Sequence, residues 1–600
     1  MKPIVLLTGA IVGLLAFSWG GKTATIQTVQ SVAALRSANF GSVRTLILRG
    51  FYPGSHSGGG TLIAVPNNTK VDSCVIYADA AGHHFQRILN EKPINVAMCG
   101  ARCTGMQIAD GRSTGGSPLI TSAEARWTPA MVGWRAVVNK AGSSGRQIDT
   151  TVVAVFGAHS LALAVSAGTT GSGETVSIYP DDTAALDDAI AAASKAKIAV
   201  ELPARAICGY ANPGRSVFKQ IAAPGLLLNS GTLWLGQTGP GIDDGVGLQF
   251  SANGSKIVGP GTISGLYQTD QGSPQLNTAA ALFSGTIGSS ITGHVTIENT
   301  KGRAFLADRV KNFTVTDVVV RDCGDFVYQH TPVVDDQLGR SMCGQVTAPS
   351  GTLTISNYTG NNASQAGLLV YGPTDTAFRA AISNCHFSGN GYYGLDLEEI
   401  SGSITLSNCE QRGNGKTPSG AILYGGYIAR DVARLSAVNV SSSLIDSNAF
   451  VIESVDSQAN MLDWSIDGLT VSGTPDRHGA AIYIALTWQG KPQRVALSDV
   501  SYDSLTLYAN SPGCSTVAPR QQLLTFDKLR ASRLYTAGPQ TVFSPQGNPG
   551  QIMYVYGRNS DLGTFSMKPL GANQDAMFFD MSGVMVNGAI ANSPSPFRCP

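Results

Sequence analysis

The sequence predicts an all-β solenoid, a right-handed parallel β-helix with small N-terminal β modules and a capping helix. Three observations predict it. A short line recurs: ISNC at Ile382–Cys385 returns as LSNC at Leu406–Cys409, each followed by Gly-Asn-Gly, 24 residues on. Glycine is abundant at 70 residues while charged residues make up only 14%, a balance that suits turns and short strands better than helical bundles. Finally, 600 residues exceed one ordinary compact core, so either several domains or an elongated repeat is required.

The line generalises to apolar-x-(Asn/Asp/Gly)-apolar-x-apolar. Copies begin at Ile257, Ile291, Val315, Ile355, Ile382, Leu406, Leu435, Ile466, Leu497 and Phe526, mostly 24 to 34 residues apart with one interval of 40. The first two carry one extra residue. Period-two alternation within each line marks strands with one buried face, and Asn, Asp or Gly at the third position suits a bend with unusual backbone angles. One unit cannot bury its own apolar side, but units stacked at the strand spacing of ~4.8 Å share a continuous interior. Cys385 and Cys409 then point inward one above the other, either bonded or as a stack of free thiols.

In chain order, Met1–Gly21 has a lysine, an apolar run and small residues, as a secretory signal peptide over 1–20 does. A head module is expected over 21–110, an inserted small β module over 111–178, and the β-helix over 179–540. Short strand-like runs follow in 541–600, as an end cap or an association element. Asp181 or Asp182 can cap a helix with Leu186 and Ile190 on one side, laid across the open end of the coil stack. The ten cysteines suit an exported, oxidising setting, and Cys99 and Cys103 can close a small loop. Their spacing lacks the CxxC pairs of a zinc site.

Three N-terminal segments carry a resemblance. VAALRSANFGSVRTLILRGFYPGSHSGGGTLIAV, running into GHHFQRI, resembles the head module of phage tailspikes and related bacterial proteins. GSPLITSAEARWTPAMVGWRAVVNKAG resembles a small β module inserted in that superfamily. DDTAALDDAIAAASKAKIAVELPARAICGY resembles the entry helix and first strand of pectate-lyase-like (pectin lyase-like) parallel β-helices. With the coils, the resemblance covers roughly Val29 to Arg533. It departs at Ala204-Arg205, where the family has Ala-Gly, and at Cys99–Gly105, where it has Gly-Asp-Gly. It implies a glycan lying along an external wall.

The strand after each line aligns on a small residue: Gly324-DFVYQ, Gly367-LLVYG, Gly394-LDLEE, Gly420-AILYG, Ala449-FVIES and Ala480-AIYIA. With Leu395 and Leu397 inward, Asp396 and Glu398 point outward. The same register gives an external column of Tyr328, Tyr371, Glu398, Tyr424, Glu453 and Ile484. Tyrosine offers an apolar face and a hydroxyl to a sugar ring, and carboxylates accept hydrogen bonds from sugar hydroxyls. Asp396 and Glu398, two apart on one strand face, have Cα atoms ~6.6 Å apart, so their carboxyls can span an inverting or retaining glycosidase pair. Glu398 is assigned as general acid and Asp396 as base or nucleophile, with Glu453 in support. Tyr328, Tyr371 and Tyr424 are the sugar platform, and Arg412, Lys416 and Arg430 can meet uronates. His330, His386 and His478 lie near turns, where a lone histidine is usually solvated. Asp335-Asp336 is a weak calcium candidate in a long loop; otherwise no cofactor or metal is expected.

A formal net charge of +1 and no basic run give no pull towards nucleic acid or anionic membrane. The expected function is therefore a secreted or cell-surface enzyme that cleaves a polysaccharide. Hydrolysis is preferred to β-elimination because the cluster is carboxylate-rich. The alternatives are a non-catalytic glycan-binding or adhesive β-helix, and a phage or prophage tailspike depolymerase, the latter expected as a homotrimer.

Overall fold

The computed structural model describes residues 26–591 apart from 73, 91, 211–218, 237–246, 269–278, 325–341, 416–425, 445–448, 455–461, 473–481, 488–492, 503, 511–521, 532–539, 546–551, 563, 568–575 and 587–588. The chain divides into two compact units, Met1–Asn90 and Glu91–Pro600. The signal-peptide segment lies outside the described residues. No helix among them is long and apolar enough to cross a membrane.

In the first unit, a five-stranded sheet runs in the order Ile26–Val29, Thr45–Leu48, Gly60–Val65, His84–Arg87, Ile76–Ala78. Helix α1 (Val32–Ser37) starts at Ser31, whose Oγ accepts from Ala34 N at 3.1 Å. Leu35, Leu46, Leu62, Tyr77 and Phe85 form its core.

The second unit opens with a closed barrel of six strands between Met106 and Tyr179, so residues 106–110, expected in the head, belong to the barrel. Trp127, Val138, Leu161 and Ile178 fill it. Glu174 is buried among them: its Oε1 accepts from Ser113 Oγ at 2.6 Å, while Oε2 meets no donor among the described residues. Burial raises its pKa, only partly offset by the Ser113 bond. The native barrel therefore holds a proton that the unfolded chain has released, over the interval from the ordinary glutamate value up to the raised one. Stability must fall as pH rises through that interval. Hydrogen-exchange protection of the barrel strands is expected to drop from acid to neutral pH, and Glu174→Gln to remove the slope. An unchanged slope in that variant would rule the group out.

Helix α2 (Thr183–Ala196) follows, burying Leu186, Ala189, Ile190 and Ala193. Asp182 occupies the cap position, yet its carboxylate accepts the backbone N–H groups of Arg102, Cys103 and Gly209; it is Asp181 that receives Thr183 N, at 3.0 Å. Beside it Cys103 is bonded to Cys208, so the expected Cys99–Cys103 loop does not form. Cys99 is disulfide-bonded as well.

From Val200 onward the chain winds as a right-handed parallel β-helix. One ladder carries two walls that meet at a bend, and a separate 13-stranded parallel ladder forms the third wall. The predicted lines stack in register: Ile257 on Ile291, Val315, Ile355, Ile382 and Leu406, and then Ile466 on Leu497 and Phe526. The extra residue of the Ile291 copy is a bulge between Thr292 and Val295. One copy is displaced: Leu406 pairs with Ala437, not Leu435. The bend is a left-handed residue, with φ of 50° to 52° at Asn357, Asn384, Asn408 and Asn439, a conformation asparagine tolerates better than most residues. Their amides form a ladder, each Nδ2 donating to the Oδ1 one coil back, at 2.7 Å to Asp317 and 3.3, 3.3 and 2.8 Å thereafter. Inside, Phe250 stacks on Phe283 with centroids 4.8 Å apart, and Cys385 is bonded to Cys409 with Cα atoms 4.5 Å apart. Strands beyond Gln540 continue the coils as far as Ser582. A hairpin, Val584–Val586 with Ala589–Ala591, follows.

Candidate functional site on the third wall

The strand Tyr393–Glu398 of the third wall is set in place by the corner before it. Asn390 and Asn414, from the two Gly-Asn-Gly copies, are fully buried. Asn390 N donates to Asn414 Oδ1 at 3.0 Å, Asn390 Nδ2 donates to Gly360 O at 3.0 Å, and Asn390 Oδ1 accepts from Ala363 N at 2.8 Å. Gly394 must be glycine, because a Cβ there would lie 2.7 Å from Asn414 Nδ2. With Leu395 and Leu397 buried in the interior at 0% and 2% exposure, alternation turns Asp396 and Glu398 to the outer face.

Two outer columns result. In one, Thr347, Tyr371, Glu398, Arg430 and Glu453 follow one another coil by coil. Arg430 Nη1 donates to Glu398 Oε1 at 3.1 Å, both side chains being partly exposed. The Tyr371 hydroxyl is raised above the usual phenol range, first by its hydrogen bond to the Glu399 carboxylate, then by burial and the nearby charges of Glu399 and Glu398. Glu399, exposed and with φ of 53°, ends the strand. In the other column Gln345, Leu369, Asp396, Ile428, Val451 and Tyr483 are consecutive. Asp396 is only 3% exposed, with Leu369 and Ile428 beside it. An apolar cluster of Ala366, Tyr392, Tyr393, Ile428 and Val451 covers part of this face.

Of the described members of the expected column, Tyr371, Glu398 and Glu453 share one register and Ile484 does not. Tyr371 beside Glu398 stands, but Arg430 holds the next position because that strand is Tyr427–Arg430. Ile484 pairs with Ile452 and points inward, fully buried. Tyr328 and Tyr424, with Lys416, His330, His478 and Asp335-Asp336, lie outside the described residues. Glu453 keeps its register one coil beyond Arg430. Asp396 faces outward as expected but is covered, where an open flank was anticipated. Arg412 belongs to the second wall, paired with Ser388 and Ser443, as does His386, whose Nδ1 lies 3.5 Å from Glu410. Glu399 was legible as the last residue of LDLEE; its contact with Tyr371 crosses coils and was not.

Two carboxyls on one strand face, one partly exposed against a guanidinium and one buried at 3% exposure, have unlike surroundings, the arrangement that divides acid from base roles. The one trio of potential metal-ligating side chains among the described residues is Cys103, Asp182 and Cys208. Its sulfurs are bonded to each other, and its carboxylate is taken by backbone N–H groups.

No family model matches the chain, and no curated protein matches it. Among solved structures it is similar to the Dettilon tailspike protein gp208, at 11% identity over 53% of this chain and 63% of that one, TM-score 0.33. It is also similar to Pantoea stewartii WceF, a glycan biofilm-modifying enzyme with a tailspike-like parallel β-helix, at 12% identity over 75% of this chain and 52% of that one, TM-score 0.34. A third is the catalytic unit of a thermostable α-1,3-glucanase of the GH87 group from Streptomyces thermodiastaticus, at 11% identity over 81% of this chain and 97% of that one, TM-score 0.36. The chain thus spans less than two thirds of the length of the first two.

Proposed function

We propose that this chain binds and cleaves a polysaccharide along its third wall. The observation that carries the reading is the placement of Asp396 and Glu398 on one strand face, in unlike surroundings, beside Tyr371 and Arg430. The roles are the reverse of those the sequence alone suggested. Glu398 is the anionic half of an ion pair and acts as base or nucleophile, since an adjacent cation favours the charged form. Asp396, buried on the strand between the coils of Leu369 and Ile428, is the proton donor. Tyr371 supplies the sugar platform and Arg430 holds Glu398 in position. The disulfides, Cys103–Cys208, Cys323–Cys343 and Cys385–Cys409 among them, fit a protein that works outside the reducing cytoplasm.

Incubation with a panel of acidic and neutral polysaccharides tests the reaction. New reducing ends without ultraviolet-absorbing unsaturated sugars are expected. Absorbing products would replace hydrolysis by elimination. A non-catalytic glycan-binding wall is the second reading, favoured by the 3% exposure of Asp396. It predicts retention of glycan with no shortening of the chain.

A further inference from the structure

Three coils before Asp396, the same wall holds a partly buried cation. Arg303 opens the third-wall strand Arg303–Asp308. Its Nε donates to Gln345 Oε1, and the Gln345 amide in turn donates to Thr347 Oγ1 at 3.0 Å. Gln345 faces outward, between the inward Gly344 and Val346, and stands in the column Gln345–Leu369–Asp396. At the strand spacing, two coils place it about 10 Å from Asp396. Thr347 heads the neighbouring column, which continues to Tyr371 and Glu398.

Asp308 accepts from Arg309 Nε at 2.9 Å, and Glu298 accepts from Arg321 Nε at 2.8 Å. Among the described residues Arg303 has no ion pair. Burial alone pushes its guanidinium down to about 10, so it stays protonated at neutral pH. Lys301, two residues earlier, is itself buried and engaged. A neutral amide orients this guanidinium but does not neutralise it, and a partly buried charge left in that state is costly to a folded chain. The planar fork of arginine suits two oxygens of an oxyacid.

We propose that Arg303, oriented by Gln345, receives an anionic oxygen group of the glycan, a uronate carboxylate or a sugar-borne sulfate or phosphate, three coils from Asp396. The inference rests on the glycan-wall reading and narrows it to acidic polysaccharides. One sugar of the bound chain meets Arg303 while another lies over Asp396 and Glu398.

The test is retention of the labelled full chain on an array of neutral, uronate-bearing, and sulfated or phosphorylated glycans. It compares wild type with Arg303→Gln and Arg303→Lys. Acidic glycans are expected to be retained in preference to neutral ones, and the class retained identifies the oxyacid. Arg303→Gln should weaken that retention about 10- to 100-fold, the usual worth of a charged hydrogen bond, and Arg303→Lys should weaken it less. Added salt should weaken the wild type towards the Gln variant. Retention of neutral and acidic glycans alike, unchanged by Arg303→Gln, would overturn the anion site and leave the glycan wall standing. Retention of nothing would remove both. Melting of Arg303→Gln guards against a purely structural role: removing an uncompensated charge should leave the melting temperature level or higher, and a clear fall would mean an internal counter-ion and overturn the proposal.

Discussion

Asp396→Asn is expected to reduce polysaccharide cleavage about 10²- to 10⁴-fold, the range for loss of a positioned acid or base, while glycan binding survives. The substitution keeps the side chain's size on a strand whose neighbours, Leu369 and Ile428, leave little slack. Only the transferable proton is lost. Glu398→Gln is expected to cost as much in turnover, with a different signature. It also removes the partner of Arg430 at 3.1 Å, so it should shift binding of charged glycans where Asp396→Asn does not. The two pH profiles separate the roles. Wild type should fall off on both sides of an optimum. Asp396→Asn should lose the decline at high pH, because the donor that deprotonates there is gone; Glu398→Gln should lose the decline at low pH. Near-wild-type rates in both variants would remove this wall as the reacting site. A wild type that holds glycan but never shortens it would make the chain a binding module.

How much of this was legible depends on range. Nine of the ten lines were placed in register from the sequence because apolar alternation and a bend residue are local signals. The displaced copy shows their limit. In LSAVNV both Leu435 and Ala437 start an apolar-x-residue pattern, and only Asn439, with φ of 52°, identifies the second frame as the true one. The third-wall error has a similar cause. Gly420 and Gly426 each precede an alternating run, but Gly426 is the one pressed against the next coil, where an added Cβ would fall 1.8 Å from Ala449 O. Which glycine is needed for close approach is decided by a neighbour in the adjacent coil. That choice replaced Tyr424 by Arg430 beside Glu398 and turned a tyrosine ladder into a charged one. The direction of Asp396 was readable from period two; its cover was not, since Ile428 and Val451 come from later coils. Arg303 gave no signal at all, because the charge of an arginine is visible in a sequence and its neutral partner in the next coil, Gln345, is not.

Asn390→Leu is expected to destabilise the coils around the site strand by about 3 kcal/mol, the scale for breaking a buried polar network. Asn408→Gly, in the exposed ladder, should cost less than about 1 kcal/mol, since glycine adopts a left-handed φ freely. The contrast follows from where the amides go. Asn390 is fully buried, and its side chain satisfies Gly360 O, Ala363 N and Asn414 Oδ1 at 3.0, 2.8 and 3.1 Å. A leucine has the same branching but is bulkier, and it leaves Gly360 O and Ala363 N short of a partner in a place water does not reach, while Asn414 Oδ1 keeps the backbone N–H of residue 390. Asn408 gives one amide to Asn384 at 3.3 Å and takes one from Asn439 at 2.8 Å, in the open, where water substitutes for both. Hydrogen exchange reads the difference locally: Asn390→Leu should strip protection from Tyr393–Glu398 while the barrel between Met106 and Tyr179 keeps its own. Glycan retention should fall with that protection, because the corner fixes where Asp396 and Glu398 emerge from the strand. Equal costs for the two substitutions would mean that the buried pair does not hold the site strand.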